Sequence, residues 1–251
     1  MSPRVPAIWP FAYLIMSTAL LLVWFVLYGV RRDLRRTMLQ VSLATALLGL
    51  TEPLFVPKYW NPFTLFDLAR RTGFDLESLL FSFAIGGIVF AAYEVFFRTA
   101  PSESMAGARQ EFEHRHHSLA VASPFLVFVI VAILTKLNPI YSSAIALIAG
   151  FFATLYCRRD LWLKMIVSGG LFLAIYFLVF VVFNLAFPGY VIAVWNLKDL
   201  SGVRVAGVPL EELMFAFTFG LYWSSVYEHV MWRREHAVPG TTSNVRAAGH
   251  R

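Results

Sequence analysis

Charge and cysteine are what this 251-residue chain has least of. Charged residues make up 14% of it, against about 25% in a soluble domain, too few to clothe a globule of this size. One cysteine, Cys157, excludes an internal disulfide and any cysteine-based metal cluster. It reads as a small packing residue near a helix end. No G-x-G-x-x-G follows a strand, which argues against a dinucleotide or flavin site. No aspartate-rich diphosphate–magnesium motif lies in an apolar run, which argues against prenyl transfer. No cofactor is therefore expected. What is abundant is apolar: 59% hydrophobic residues, 24 of them Phe, and a mean hydropathy of +0.66. Soluble enzymes, secreted disulfide modules and disordered regulators are excluded, and an integral membrane protein remains. In that setting a net charge of +6 bears on topology, and no nucleic-acid partner is expected.

A spanning helix needs about 20 apolar residues. Candidate spans are Phe11–Val30, Met38–Val56, Leu76–Phe97, Leu119–Thr135, Pro139–Cys157, Leu161–Phe187 and Pro209–Trp232. Seven spans put fourteen of the 21 Lys and Arg on one side, among them Arg31, Arg32, Arg35, Arg36, Arg158, Arg159, Arg233 and Arg234. The positive-inside rule then predicts a cell-membrane protein with its N-terminus outside and its C-terminus in the cytoplasm. The polar stretches 99–118 and 236–251 lack period and read as a cytoplasmic linker and a disordered tail. His114, His116 and His117 fall in that linker and read as a solvated loop, so no metal site is expected.

The third and seventh spans match at an offset of 134: Leu76/Leu210, Glu77/Glu211, Phe81/Phe215, Phe83/Phe217, Gly86/Gly220 and Glu94/Glu228 are among the identical pairs. The loops before them carry Trp60-Asn61 and Trp195-Asn196. Glutamates are scarce in spans, so these matches point to a duplication. The predicted fold is all-α and polytopic, with about seven transmembrane helices in a single membrane domain over residues 1–235. It contains two parallel three-helix repeats (about 8–98 and 139–234) and a connecting helix (about 119–136). A cavity is expected between the repeats.

Acidic residues gather at the outer ends of the spans: Glu52 near the exit of span 2, Asp75 and Glu77 opening span 3, Glu211 and Glu212 opening span 7. Pro209 with two acids in the first turn is a helix-start signal, and Asp75 and Glu77 fit the same description. Three carboxylates on one side exceed what capping requires. Glu211 and Glu212 are about 100° apart on a helix and cannot both face one cavity. The repeat selects Glu211, whose counterpart is Glu77, to point inward with it, leaving Glu212 in support. Glu94 and Glu228, beside Arg98 and Arg233-Arg234, read as interfacial anchors and ion pairs. Phe81, Phe83, Phe215, Phe217, Trp60 and Trp195 surround the acids. An aromatic chamber with carboxylates at its mouth suits an apolar substrate that becomes cationic.

At Val208-Pro209-Leu210-Glu211-Glu212, followed by a Phe-rich helix, the chain resembles the membrane-integral, flavin-free lycopene cyclases, which occur as heterodimers of small subunits and as fused chains. The stretch Tyr59-Trp60-Asn61-Pro62, with Gly73 to Glu94, resembles the first half of that family's domain. There Asp75 and Ser78 stand where the family has Pro and a second acid. The resemblance implies a redox-neutral isomerisation of a linear carotenoid such as lycopene, held in the bilayer, into β-type rings. A carboxylic acid protonates the terminal double bond, the chain closes on the cation, and a base removes a ring proton. Glu211 and Glu77 would share these two roles in either order. Other carotenoid-pathway enzymes would be the partners. The competing expectations are a proton-coupled transporter, in which the acids form a relay, and a non-catalytic carotenoid-binding subunit.

Overall fold

The structure is a computed structural model and describes residues 6–104, 117–231 and 233–237. His114, His116 and the tail beyond residue 237 lie outside them. Helix α1 (Ala12–Val30) leads through a tight Arg-Asp-Leu turn to α2 (Arg35–Ala46), which narrows into a 3-10 stretch, Leu47–Leu54. The short α3 (Leu68–Thr72) precedes α4 (Leu76–Phe97), and strand β1 (Thr99–Ser104) follows it. Then come α5 (His117–Leu134), α6 (Pro139–Cys157), α7 (Trp162–Ala186) and α8 (Tyr190–Val194). Strands β2 (Arg204–Val205) and β3 (Val208–Pro209) form a hairpin that leads into α9 (Leu210–Trp223), α10 (Val226–Met231) and β4 (Arg233–Ala237).

The protein is an all-α polytopic membrane protein. Among the described residues, five helical segments are long and apolar enough to cross a membrane unbroken: 9–30, 76–97, 117–134, 139–157 and 159–186. The other two expected spans are each made of two helical pieces. Residues 38–56 change from α to 3-10 geometry at Leu47, where Pro53 deprives the last turn of a donor. Residues 209–232 break at Ser224-Ser225 between α9 and α10. The polar stretch after α4 is not featureless throughout. β1 pairs antiparallel with β4, and α5 already begins at His117.

Helices α1 and α2 pack on α4 as α6 and α7 pack on α9, and α5 lies against α6. The internal likeness extends to tertiary detail. Arg31 grips Asp33 through Nε and Nη2 (2.9 and 2.6 Å), and its Nη1 donates to the Glu94 carbonyl. Arg158 grips Asp160 in the same way (2.8 and 2.7 Å) and donates to the Glu228 carbonyl. Each Arg thereby ties the start of its repeat's second helix to the end of its third. The repeated glycines are contact points: a Cβ at Gly86 would run into Thr45 of α2, and one at Gly220 would crowd Gly169 and Phe172 of α7.

The halves meet at a seam between their outer loops. Asn61 N–H donates to the Val194 carbonyl (2.8 Å) and Asn196 N–H donates to the Tyr59 carbonyl (3.0 Å). This antiparallel bridge pairs Trp60 with Trp195, whose rings lie 5.1 Å apart. At the opposite, Arg-rich end, the buried Lys164 ammonium lies between the Glu94 and Glu228 carboxylates.

Candidate active site

The acidic end of the molecule is built around the Trp pair. Trp60 Nε1 donates to Glu52 Oε1 (2.7 Å), and Trp195 Nε1 donates to Glu212 Oε1 (2.9 Å). The 3-10 stretch carries Glu52 inward because Gly49, one turn earlier, lies directly against the Ser78-Leu79 backbone of α4, where no side chain would fit. Glu212, in the first turn of α9, accepts two further hydrogen bonds, from Tyr59 Oη and Tyr176 Oη, each at 2.6 Å. Burial and the adjacent Glu212 carboxylate push the Tyr59 phenol, which lies in the outer loop, well above its ordinary range. It is therefore a standing proton donor to that carboxylate at neutral pH.

Glu52 and Glu212 both line a cavity of about 410 Å³, within the usual range for small-molecule sites. Its wall is rich in aromatic rings: Tyr13, Trp60, Phe81, Tyr176, Trp195, Phe215, Phe219 and Trp223 contribute. Tyr13 stands edge-on to Trp60 (4.7 Å), Phe81 edge-on to Tyr176 (6.2 Å), and Phe219 stacks between Phe215 and Trp223 (5.4 Å to each). Ser78 and Tyr13 hydroxyls share a hydrogen bond at 3.0 Å. On one side the lining passes to Leu54, Phe125 and Val129, whose apolar side chains are exposed on the outer surface of the helices. The cavity thus opens sideways, between the 3-10 stretch and α5.

The inward pair is not the one the repeat selected. Glu77 and Glu211 are buried but lie outside the cavity lining. Each accepts a hydrogen bond from a loop N–H at 2.7 Å, Glu77 from Leu65 and Glu211 from Ser201; Tyr141 Oη donates to Glu211 as well. The physical reason is the 100° step between neighbours on a helix: with Glu211 turned to the loop, Glu212 faces the cavity. Position 78, its counterpart, is Ser, so repeat one supplies its cavity acid from another helix, as Glu52.

The aromatic expectations divide in the same way. Phe81, Phe215, Trp60 and Trp195 line the cavity, whereas Phe83 packs on Trp24 (5.2 Å) and Phe217 lies beside Gly169 of α7. Residues two apart on a helix face nearly opposite ways. Asp75 caps α4, its carboxylate accepting from Ser78 N–H at 2.5 Å. Pro209 occupies the equivalent cap position on α9, one residue before the first helical position expected for it. Glu94 and Glu228 do make ion pairs, but with Lys164.

Tyr59 and Tyr176 were not singled out as acid-holding residues, nor was the face that finds Glu212. Glu212, Phe215, Phe219, Tyr222 and Trp223 follow steps of 3, 4, 3 and 1, a single helical stripe, and all five line the cavity. Residues 138–230 match the family model described as lycopene cyclase. No curated protein and no solved structure matches the chain.

Proposed function

We propose, for a chain whose residues 138–230 match the lycopene cyclase family model, that the cavity beneath the Trp60–Trp195 seam closes β-type rings at the ends of a linear carotenoid. The family domain supports a carotenoid cyclase in general; the ring type, the redox-neutral lyase-type chemistry and the residue roles are our reading. The carrying observation is that two buried carboxylates from non-equivalent helices open onto one aromatic, laterally open cavity.

In this reading a carotenoid terminus slides in from the bilayer past Leu54 and Phe125. Glu52, held through the Trp60 indole with Ser78 beside it, carries the proton and delivers it to the terminal double bond. The resulting tertiary cation lies among Phe81, Phe215 and Phe219, whose ring faces stabilise it. The neighbouring double bond attacks the cation, forming the ring carbon–carbon bond and moving the positive charge into the ring. Loss of a ring proton to a carboxylate regenerates a double bond, so one proton enters, one leaves and no electrons are exchanged. Glu212, fixed by three donors, is the standing anion that opposes the cation and receives that proton. A weak acid can serve here because the charge it creates appears within a prearranged anionic and aromatic shell.

The transporter reading requires acids stepping along the path, and neither α4 between Glu77 and Glu94 nor α9 after Glu212 supplies one. The basic end is assigned to the cytoplasm on the positive-inside rule. Expression in lycopene-accumulating cells, with analysis of the extracted pigment, tests the proposal. Ring-bearing products are expected from the native chain and are lost in Glu52→Gln and Glu212→Gln. Unchanged lycopene from the native chain, or full ring formation in both variants, overturns it.

A further inference from the structure

At the Arg-rich end, away from the cavity acids Glu52 and Glu212, three ligand-type side chains from three helices converge. They are His117 at the start of α5, Cys157 at the end of α6 and His229 in α10, and their ligand atoms all lie within 4.8 Å of one another. Cys157 and His229 are buried and His117 is half-buried. Cys157 Sγ is 3.6 Å from His117 Nδ1, and the two imidazoles meet edge to face with centroids 4.4 Å apart. A tetrahedral zinc site with Zn–S of about 2.3 Å and Zn–N of about 2.0–2.1 Å has S···N edges of about 3.6 Å and N···N edges of about 3.4 Å. The sulfur–nitrogen edge already has that length, and the widest separation needs to close by little more than an ångström.

The surroundings suit a metal-bound thiolate. The Thr154 hydroxyl lies 3.4 Å from His229 Nδ1, an outer partner of the kind that fixes a ligating ring and leaves Nε2 to the metal. The guanidinium of Arg158, the residue after the cysteine, is buried at the same helix end, where its charge favours a thiolate. Two imidazoles and a thiolate select a borderline-soft cation over calcium or magnesium.

We propose that His117, Cys157 and His229, the three ligand-type side chains that converge here among the described residues, form a binding site for a divalent cation of the zinc class. The site ties α5 to α6 and α10. Because Phe125 and Phe128 of α5 line the distant cavity, it also fixes the helix that forms one side of the lateral opening. The proposal does not depend on the cyclase reading.

Cobalt(II) titration of the full-length, untagged protein in detergent, after chelator treatment, tests it. Since Cys157 is the only cysteine in the sequence, a thiolate-to-cobalt charge-transfer band has one possible source. Saturation near one cobalt per chain is expected, with displacement by zinc. Cys157→Ser should abolish the band, His117→Asn and His229→Asn should each weaken binding more than tenfold, and Thr154→Val should weaken it by about tenfold. Absence of the band in native protein, or a band of undiminished affinity in both histidine variants, overturns the proposal. Cys157→Ser is nearly isosteric, so it remains informative if a histidine variant does not fold, and a band that survives it likewise overturns the site.

Discussion

In the first half Glu77 accepts from the Leu65 N–H, and in the second half Glu211 accepts from the Ser201 N–H at the same distance. At the cavity the likeness ends. The first half supplies Glu52 from its second helical segment, and the second supplies Glu212 from its third. The matched indoles Trp60 and Trp195 hand their N–H groups to these unmatched acids. One acid has a single indole donor and a nearby serine; the other has an indole and two phenols. The difference teaches that symmetry here serves architecture, whereas the proposed chemistry calls for two carboxyl groups in unlike surroundings, one to give a proton and one to oppose a cation.

The sharpest way to break that comparison is to neutralise the unmatched acids. Glu212→Gln and Glu52→Gln are each expected to lower ring formation by roughly 10²–10⁴-fold, read as the ratio of cyclic to linear carotenoid in cells. Next comes the other end, where the halves share a lysine. Lys164→Met strands Glu94 and Glu228 together without its ammonium, and a loss of about 3–5 kcal/mol of stability is expected, measured by thermal unfolding in detergent. Tyr59→Phe and Tyr176→Phe remove single donors from Glu212. Each should cost about 1.5–3 kcal/mol of transition-state stabilisation, visible in the initial rate while the protein level is unchanged. The smallest effect belongs to the matched pair. Glu77→Gln keeps a carbonyl oxygen for the Leu65 N–H and should cost about 1 kcal/mol or less in stability, with ring formation still readily detected. If Glu77→Gln silenced the enzyme and Glu52→Gln did not, the division between matched and unmatched acids would be reversed.

Much of the architecture was legible because lipid leaves the chain few options. Long apolar runs with few charges gave the five unbroken spans, and two glutamates recurring in apolar helices pointed to a duplication. The second and seventh segments were harder, since hydropathy does not register a change from α to 3-10 geometry at Leu47 or a break at Ser224. The recurrence of Arg-Arg-Asp-Leu at 31–34 and 158–161 is a further mark of duplication that a comparison of the apolar spans alone does not reach. The cavity acids were hidden for a subtler reason. Matching the repeats rewards residues that recur, and Glu52 and Glu212 are the acids without a counterpart. Cys157 and His229 gave no signal at all, being separated by 72 positions and brought together only by the packing of α10 against α5 and α6.

The two main-chain hydrogen bonds between Tyr59-Trp60-Asn61 and Val194-Trp195-Asn196 set the spacing of the two indoles that hold Glu52 and Glu212. Since both indoles ride on one short ladder, the halves cannot slip past each other without displacing both donors together. A tolerance that side chains alone would leave loose is thereby inherited from the backbone, and substitutions elsewhere in the greasy interior can accumulate without moving the two cavity carboxylates apart.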